Sequence, residues 1–273
     1  MGSASTLLRH RLQREQRRLV RAEPGVRSGA DPEDLHDFRV SVRRSRALIR
    51  SSRGAVRPSL QPLARELRWL ARTTSPVRDL DVTIAQVQSR IPGLGPDRSA
   101  GPVLLAILDA DLTSRRADLT NALSSDRYTE LADHFRDKVA SIRIVGTASW
   151  AEDASRTELA RLRGTYGTLG REPTDHKLHD LRIAVKHARY SLDLVGDAHT
   201  KPLARALKSL QMQLGDHQDA VVCEELVRAA ATPETLLAGR IIEHQHQRRA
   251  VVRAALPDAW DAVERAAPGV SFL

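Results

Sequence analysis

The sequence predicts an all-α protein built from two homologous helical halves. The first observation is a repeated helix: residues 35–46 read LHDFRVSVRRSR and residues 178–189 read LHDLRIAVKHAR, 143 positions downstream. In both copies apolar residues recur every three to four positions, which is the period of a helix that buries one face. No stretch shows the convincing alternation of apolar and polar residues that would indicate a strand. Together these patterns favour a duplicated helical unit.

The duplication continues downstream of the repeated helix. Two further blocks match at offsets that fall to 140 and then to 133: residues 62–79 with 202–219, and residues 115–123 with 248–256. Each fall coincides with a loop that is longer in the first half, and insertions are best tolerated in loops. The 273 residues are therefore expected to form an N-terminal half, residues 5–140, and a C-terminal half, residues 149–266.

Each half is expected to contain about four long helices. In chain order they span residues 5–22, 32–51, 59–90 and 102–124, then 150–170, 175–195, 201–231 and 234–255. Short helices near 127–139 and 257–266 are expected to close the two halves. Asp31 before Pro32 is typical of a helix start, and Thr174 or Asp175 is the equivalent cap in the second copy.

Both copies of the repeated helix carry a row of cations beside the apolar face. Spacings of three, four and three residues align side chains along one edge of a helix, and at about 1.5 Å per residue each row is roughly 15 Å long. We call these rows the ladders: His36, Arg39, Arg43 and Arg46, and His179, Arg182, Lys186 and Arg189. Arginine presents a planar fork of donors that suits phosphate oxygens, so the ladders predict a long polyanion as ligand. A solvated basic face is the alternative, but repetition of the same rungs argues against it.

Further cations recur at equivalent positions in both halves. On the third helix of each half they are Arg65, Arg68 and Arg72, echoed by Lys201, Arg205 and Lys208; on the fourth they are Arg115 and Arg116, echoed by Arg248 and Arg249. If the halves pack about a pseudo-twofold axis, these edges can converge with the ladders into one basic channel. A solvated surface role is the alternative for each of these residues.

Composition indicates the charge of the partner and the compartment in which the protein is expected. The formal charge of +9 favours an acidic partner. Cys223 is the single cysteine, which excludes an internal disulfide and suits a reducing compartment. No apolar run approaches the roughly 20 residues of a membrane span, and the start lacks the apolar core of a signal peptide. We therefore expect a soluble cytoplasmic protein.

Motifs of catalysis are not found. Asp79 and Asp81 could form a metal-binding or catalytic pair, but residues two apart do not share a helix face, so a cap or an arginine partner is the preferred interpretation. The lone cysteine offers no thiolate cluster, and neither a nucleophile elbow nor a glycine-rich phosphate loop is present. We predict no catalytic residue, no metal and no cofactor.

The repeated Leu-His-Asp-x-Arg helix and the segment Arg78-Asp-Leu-Asp-Val82 resemble the CHAD family, the conserved histidine α-helical domain. The resemblance covers about residues 5–260. It implies two four-helix bundles related by pseudo-twofold symmetry, with inorganic polyphosphate bound on basic surfaces around their joint. It also implies association with polyphosphate granules, and it assigns binding to the eight ladder residues. The two copies of the repeat differ at two aligned positions. Arg44 of the first copy is matched by His187 of the second, and Arg50 is matched by Asp193, so the cations stop one turn earlier in the second copy.

Three hypotheses of function follow from these observations. The first is a non-catalytic protein that binds inorganic polyphosphate, with other polyanions as further candidates. The second is a nucleic-acid-binding protein, although aromatic residues make up only 3% and do not alternate with the rungs, as a stacking surface for single strands would require. The third is an enzyme that cleaves or polymerises polyphosphate, or an accessory or regulatory subunit of such an enzyme. Some CHAD proteins are joined to a triphosphate-tunnel domain, which is not recognised in this sequence, so enzymatic activity is expected to need a separate protein.

Overall fold

The computed structural model describes residues 4–145, 149–230 and 236–270. Within these ranges the chain forms nine α-helices: α1 (Ala4–Ser28), α2 (Pro32–Ser51), α3 (Gln61–Arg90), α4 (Gly101–Leu123), α5 (Asp126–Ala140), α6 (Trp150–Gly167), α7 (Asp175–Val195), α8 (Lys201–Ala230) and α9 (Leu236–Ala266). Short 3-10 turns lie at Ile91–Ala100, Ala198–Thr200 and Ala267–Gly269. The prediction of an all-α protein is confirmed. A small addition is one antiparallel pair of two-residue strands, β1 (Val56–Arg57) and β2 (Arg143–Ile144).

The two helices that carry the ladders begin where the sequence predicts. Asp31 accepts a hydrogen bond of 2.8 Å from the backbone N–H of Glu33, and Pro32 is the first residue of α2. At the start of α7 the cap is Thr174 rather than Asp175, since the Thr174 side chain accepts from the backbone N–H of Lys177. α7 ends at Gly196, which has a φ of 72° that glycine adopts without strain.

The ends of the two halves differ from one another. The predicted short helix near 257–266 is not separate, because α9 continues through Pro257; Leu256 and Trp260 on either side are buried and hold the helix across the hydrogen bond that proline cannot make. In the first half, by contrast, Ser125 caps a new helix, α5, by accepting from the backbone N–H of Tyr128. The helix end predicted at residue 231 and the start predicted at residue 234 lie outside the described residues.

Two apolar cores fill the two halves. The first lies mainly between α1, α2, α3, the end of α4 and α5, with members that include Leu12, Phe38 and Leu67. The second lies between α6, α7, α8 and the end of α9, with members that include Leu181 and Leu207. The members of both cores recur at helical spacing on their helices, as the sequence predicts.

A third core contains residues from both halves. The end of α3 and the start of α4 pack there against the end of α8 and the start of α9, burying Leu80, Leu108, Cys223 and Ile241. α3 packs against α8, and α2 packs against α7. This joint sets the distance between the two ladder helices. Among the described residues, no helix is both long enough and apolar enough to cross a membrane.

Candidate anion-binding site

The apolar faces of the ladder helices are buried as predicted. On α2 the buried side chains include Leu35, Phe38 and Val42, and on α7 they include Leu178 and Leu181. Burial of these faces fixes the rotation of each helix about its axis. The rungs beside them are therefore half-buried rather than fully solvated.

The middle rungs of the two ladders meet at the joint between the halves. Arg39 and Arg43 of α2 lie close enough to Arg182 and Lys186 of α7 for charges of the neighbouring helix to lower the pKa of Arg39, Arg182 and Lys186. We call these four side chains the central cluster. The sequence led us to expect that basic edges of the two halves converge if the halves pack together. The middle rungs of the two ladders do lie near one another.

Hydroxyl groups of α3 hold Arg39 without neutralising it. Its Nη1 donates to Ser75 Oγ at 2.9 Å and to Thr74 Oγ1 at 3.4 Å. Burial, opposed by the nearby Asp79 and reinforced by Arg43, lowers the pKa of Arg39 to about 10. The guanidinium therefore remains charged at neutral pH while part of its hydration is lost.

The hydroxyl group of Tyr190 likewise holds Arg43 without neutralising its charge. Arg43 Nε donates to the Tyr190 hydroxyl at 3.0 Å, and this tyrosine is only 3% exposed. The guanidinium of Arg189 lies 5.0 Å from the centre of the Tyr190 ring, while its Nη1 donates to Gln211 Oε1 at 2.7 Å. A π face and neutral oxygens thus orient these two cations and leave their charge uncompensated.

Lys186 is the most perturbed member of the central cluster. Burial, reinforced by the charges of Arg182, Arg43 and Arg39 and opposed more weakly by Asp219, lowers its pKa to about 6. Its Nζ makes no hydrogen bond to the described residues. Arg182 Nε is likewise buried without an acceptor among them. Both groups have unused donors at the point where the two ladders meet.

Two carboxylates lie beside the central cluster. Asp79 of α3 stands near Arg39 and Asp219 of α8 near Arg182, and neither comes within ion-pair distance, 4.0 Å, of a cation in the described residues. Burial raises the pKa of both, while the neighbouring arginines act in the opposite direction. The three arginines of the central cluster outnumber these two carboxylates even when Lys186 is neutral, so the cluster keeps an excess of positive charge.

The histidine rungs have different surroundings. His179 Nδ1 lies 2.6 Å from Gln218 Oε1 of α8, which holds the ring against the bundle. His36 lines a cavity between α1 and α2, and burial together with Arg78 lowers its pKa. The first rung of the α2 ladder therefore faces a different cavity from Arg43.

A basic groove extends from the central cluster along α2, α3 and α7. Its cavity of about 380 Å³ is lined by cations and by Tyr190, and we call it the central groove: Arg43, Arg46, Arg68, Lys186 and Tyr190 are its defining residues. Arg68 and Arg72 lower the pKa of Arg46, after burial, so this part of the α3 row lies beside the ladder. Arg65 is exposed on the same helix.

The corresponding row on α8 is not in the central groove. Lys201 lines another cavity, beside α1, while Arg205 and Lys208 are exposed. The symmetry of the sequence is thus broken at the site, because only the N-terminal half contributes a third-helix row to the central groove.

Several predicted arginines are held by other groups. Arg116 donates to Asp81 Oδ1 at 3.0 Å and to the Gly29 carbonyl at 2.6 Å, which also confirms the arginine partner expected for Asp81. Arg249 donates to Asp175 at 2.8 Å and pairs closely with Glu224. Both guanidinium groups are held by carboxylates and join helices, so we leave them out of the candidate site, and their part in binding stays a prediction of the sequence.

Arg115 and Arg248 also have partners within the fold. Arg115 pairs with Asp111 at 3.1 Å on the exposed side of α4, and Arg248 donates to Gln86 at 2.7 Å and to Gln245 at 2.9 Å. Neither lines the central groove. They too are left out of the candidate site.

Sequence reasoning missed two features of the site. One is Tyr190, a buried tyrosine that orients cations of both ladders. The other is a row of arginines on α1 at the same three-four-three spacing, Arg11, Arg14, Arg18 and Arg21. The spacing was visible, but the second half has no matching row, and repetition was the signal that singled out the ladders.

Comparisons with known proteins identify the family of the chain. Residues 10–228 match the model of the CHAD domain family. The uncharacterized protein MT2285 of Mycobacterium tuberculosis strain CDC 1551 / Oshkosh is 28% identical over 216 residues, which is 74% of this chain and 41% of that protein. The protein Rv2226 of strain ATCC 25618 / H37Rv matches with the same identity and coverage. The chain thus spans less than half the length of these curated relatives.

Solved structures have a similar fold. PptA from Streptomyces chartreusis has a TM-score of 0.76 at 19% identity, over 94% of this chain and 99% of that one. The CHAD domain from the plant Ricinus communis has a TM-score of 0.72 at 24% identity, over 98% and 92% of the two chains. At these identities the likeness concerns the fold.

Proposed function

The chain belongs to the CHAD domain family, and from this premise we propose that it binds inorganic polyphosphate without catalysis, along the central groove. The single observation that carries the proposal is the central cluster. Cations from two different helices converge there, and none of the four forms an ion pair with a carboxylate among the described residues. A chain of phosphates supplies the missing negative charge.

Electrostatics supports a polyanion rather than a single small anion. Partial burial of several like charges is unfavourable in the unliganded protein, as the lowered pKa of Lys186 reports. A linear chain can place successive phosphates against Lys186, Arg43 and Arg46 in turn, since they follow one groove. Serine, tyrosine and glutamine oxygens hold several of the cations in place before the ligand arrives, which reduces the entropy lost on binding.

A role without catalysis is supported by the groups around the central groove. Phosphoryl transfer commonly uses metal ions held by carboxylates. The carboxylates nearest the central cluster, Asp79 and Asp219, lie beside arginines, whose positive charge opposes the binding of a magnesium ion. The same binding would bring the protein to polyphosphate granules in the cytoplasm.

Calorimetric titration with long-chain polyphosphate at physiological salt tests the proposal. The wild-type protein should bind saturably, and the double variant Arg43→Gln/Lys186→Gln should bind about 100-fold more weakly, since a charge-assisted hydrogen bond contributes about 1.5–3 kcal/mol and 1.4 kcal/mol is tenfold. The control is Arg98→Gln/Arg265→Gln, which removes two basic side chains at exposed positions outside the groove. Absence of saturable binding by the wild type would end the proposal.

Two further measurements separate the competing hypotheses. Duplex DNA or RNA at equal phosphate concentration should fail to displace polyphosphate; displacement would favour a general nucleic-acid-binding role. Incubation with polyphosphate and Mg²⁺ should release no phosphate. Release that disappears in Asp79→Asn/Asp219→Asn would instead identify an enzyme.

A further inference from the structure

The arginine row on α1 lines a groove of its own. Arg11, Arg14, Arg18 and Arg44 border a cavity of about 460 Å³ that Lys201 closes from the start of α8. Arg18 and Arg44 also border the adjoining cavity of about 500 Å³ between α1 and α2. We call the first cavity the flank groove. It is defined by its five cations, Arg11, Arg14, Arg18, Arg44 and Lys201.

A buried glutamate organises the flank groove. Glu15 is 1% exposed, and its carboxylate lies 3.2 Å from Arg14, 3.5 Å from Arg18 and 3.9 Å from Arg44. A buried carboxylate requires such partners, and here three guanidinium groups share two oxygens. Each guanidinium has five N–H donors, so most donors remain available to a ligand in the groove.

The flank groove keeps an excess of positive charge. Besides Glu15, its acidic lining consists of Asp193 and Asp197, against five cations. Asp197 caps the turn before α8 by accepting from the backbone N–H of His199, and Asp193 raises the pKa of Arg11 against the larger lowering effect of burial. Arg11 and Lys201 form no ion pair within 4.0 Å among the described residues.

The flank groove adjoins the central groove at Tyr190, which lines both. Arg43 and Arg44 are neighbours on α2, and each faces one of the two grooves. An α-helix is about 10–12 Å across with its side chains, a span that a flexible chain of several phosphates can cover. The aromatic ring at the junction is buried, so a ligand held through its phosphates suits the surface better than one held by base stacking.

We infer that the flank groove is a second anion-binding site, which takes a further stretch of the same polyphosphate chain that occupies the central groove. This inference rests on the proposed function. A long chain engages both grooves, whereas a short oligophosphate occupies the central groove, where the cations lack carboxylate partners. The second groove therefore gives the protein a preference for long chains.

The test uses long-chain polyphosphate and tripolyphosphate as parallel ligands. The double variant Arg11→Gln/Lys201→Gln removes two cations that have no ion pair to lose. It should weaken long-chain binding by about tenfold or more and lower the salt slope by about two, by analogy with nucleic acids, because two phosphate contacts disappear. Binding of tripolyphosphate should be unchanged. Arg98→Gln/Arg265→Gln again serves as the charge-matched control.

A second variant makes the opposite prediction. Glu15→Gln keeps the side-chain shape and removes the negative charge from the floor of the flank groove, so the folded variant should bind long chains several-fold more tightly. Long-chain affinity that neither variant changes would overturn the inference and leave the central groove in place. Equal weakening of both ligands by Arg11→Gln/Lys201→Gln would also overturn it. Failure of the wild type to bind either ligand would instead sink the proposed function.

Discussion

Two clusters of arginine in this molecule differ in the groups that hold their guanidinium ions. In the central cluster, Arg39 and Arg43 are oriented by the hydroxyls of Ser75 and Tyr190 and keep their charge uncompensated. At the start of α7, Arg249 is held between Asp175 and Glu224. The second arrangement joins α9 to α7 and α8, whereas the first leaves charge available for a ligand.

The two clusters should also differ in their effect on the unliganded fold. Arg253 adds a further close contact to Asp175, so carboxylates and guanidinium groups around α9 satisfy one another. The central cluster contains mutual repulsion instead, which burial intensifies at Lys186. We expect the first cluster to stabilise the folded chain and the second to destabilise it until an anion binds.

The largest expected effect separates the two clusters directly. Arg249→Ala should lower the free energy of unfolding by about 2 kcal/mol, less than the 3–5 kcal/mol typical of a fully buried pair because Asp175 is 36% exposed. Polyphosphate affinity of the folded variant should be unchanged. Arg43→Gln should show the reverse: full stability in urea denaturation, and affinity about tenfold weaker by calorimetry.

An Arg249 variant that kept its stability and lost affinity would contradict this comparison. It would return Arg249 to the binding set that the sequence suggested. Arg253→Ala provides the matched control, since Arg253 shares Asp175 as partner and should behave as Arg249 does.

The sequence identifies the ladders but does not show which of the remaining cations are held by other groups of the protein. Helical spacing alone places Arg39 and Arg43 on one edge, and repetition singles them out. The partners of Arg116 are Gly29 and Asp81, which lie 87 and 35 residues away, so only the tertiary fold shows that this arginine is held. The same limit applies to the convergence of α2 and α7, because the third core that sets their distance draws residues from distant segments.

The α1 row was missed for a different reason. The positions 143 residues beyond Arg11, Arg14 and Arg21 are Ala154, Thr157 and Gly164, and only Arg18 has a cationic equivalent, Arg161. Glu15 is likewise matched by the buried Glu158, which pairs with Arg161 at 2.9 Å. Comparing the two repeats detects only the features that both halves share. A groove that is present in one half is therefore found from the structure.

A second, smaller effect should appear in the pH dependence of binding. Lys186 has a pKa of about 6 in the free protein and is therefore mostly neutral at pH 7. A bound phosphate chain favours the protonated amine, so binding takes up a proton, and affinity should fall by up to about tenfold from about pH 6.5 to about pH 7.5. Lys186→Gln should abolish this part of the pH dependence, which calorimetry in buffers of different ionisation enthalpy can check.

The unliganded protein provides an independent check of the same residue. Because its pKa is lowered from the ordinary 10.5, the contribution of Lys186 to stability is full above pH 10.5 and is lost as the pH falls towards 6. Lys186→Gln should flatten the stability curve in that window. Identical pH dependence of stability and of binding in the variant and the wild type would show that Lys186 does not titrate in the central cluster.

The smallest expected effect tests whether the central cluster acts as one unit. Arg39 and Arg182 come from opposite halves and lie close enough for the charge of Arg182 to lower the pKa of Arg39, so one phosphate chain should contact both. Arg39→Ala together with Arg182→Ala should then depart from the sum of the single losses by about 0.5–1 kcal/mol, because residues that share one ligand are rarely additive. The pair Arg182→Ala and Arg249→Ala should be additive in binding, since Arg249 has its own carboxylate partners. Purely additive losses for Arg39 and Arg182, with two chains bound per wild-type monomer, would show two independent sites and would separate the ladders that the fold brings together.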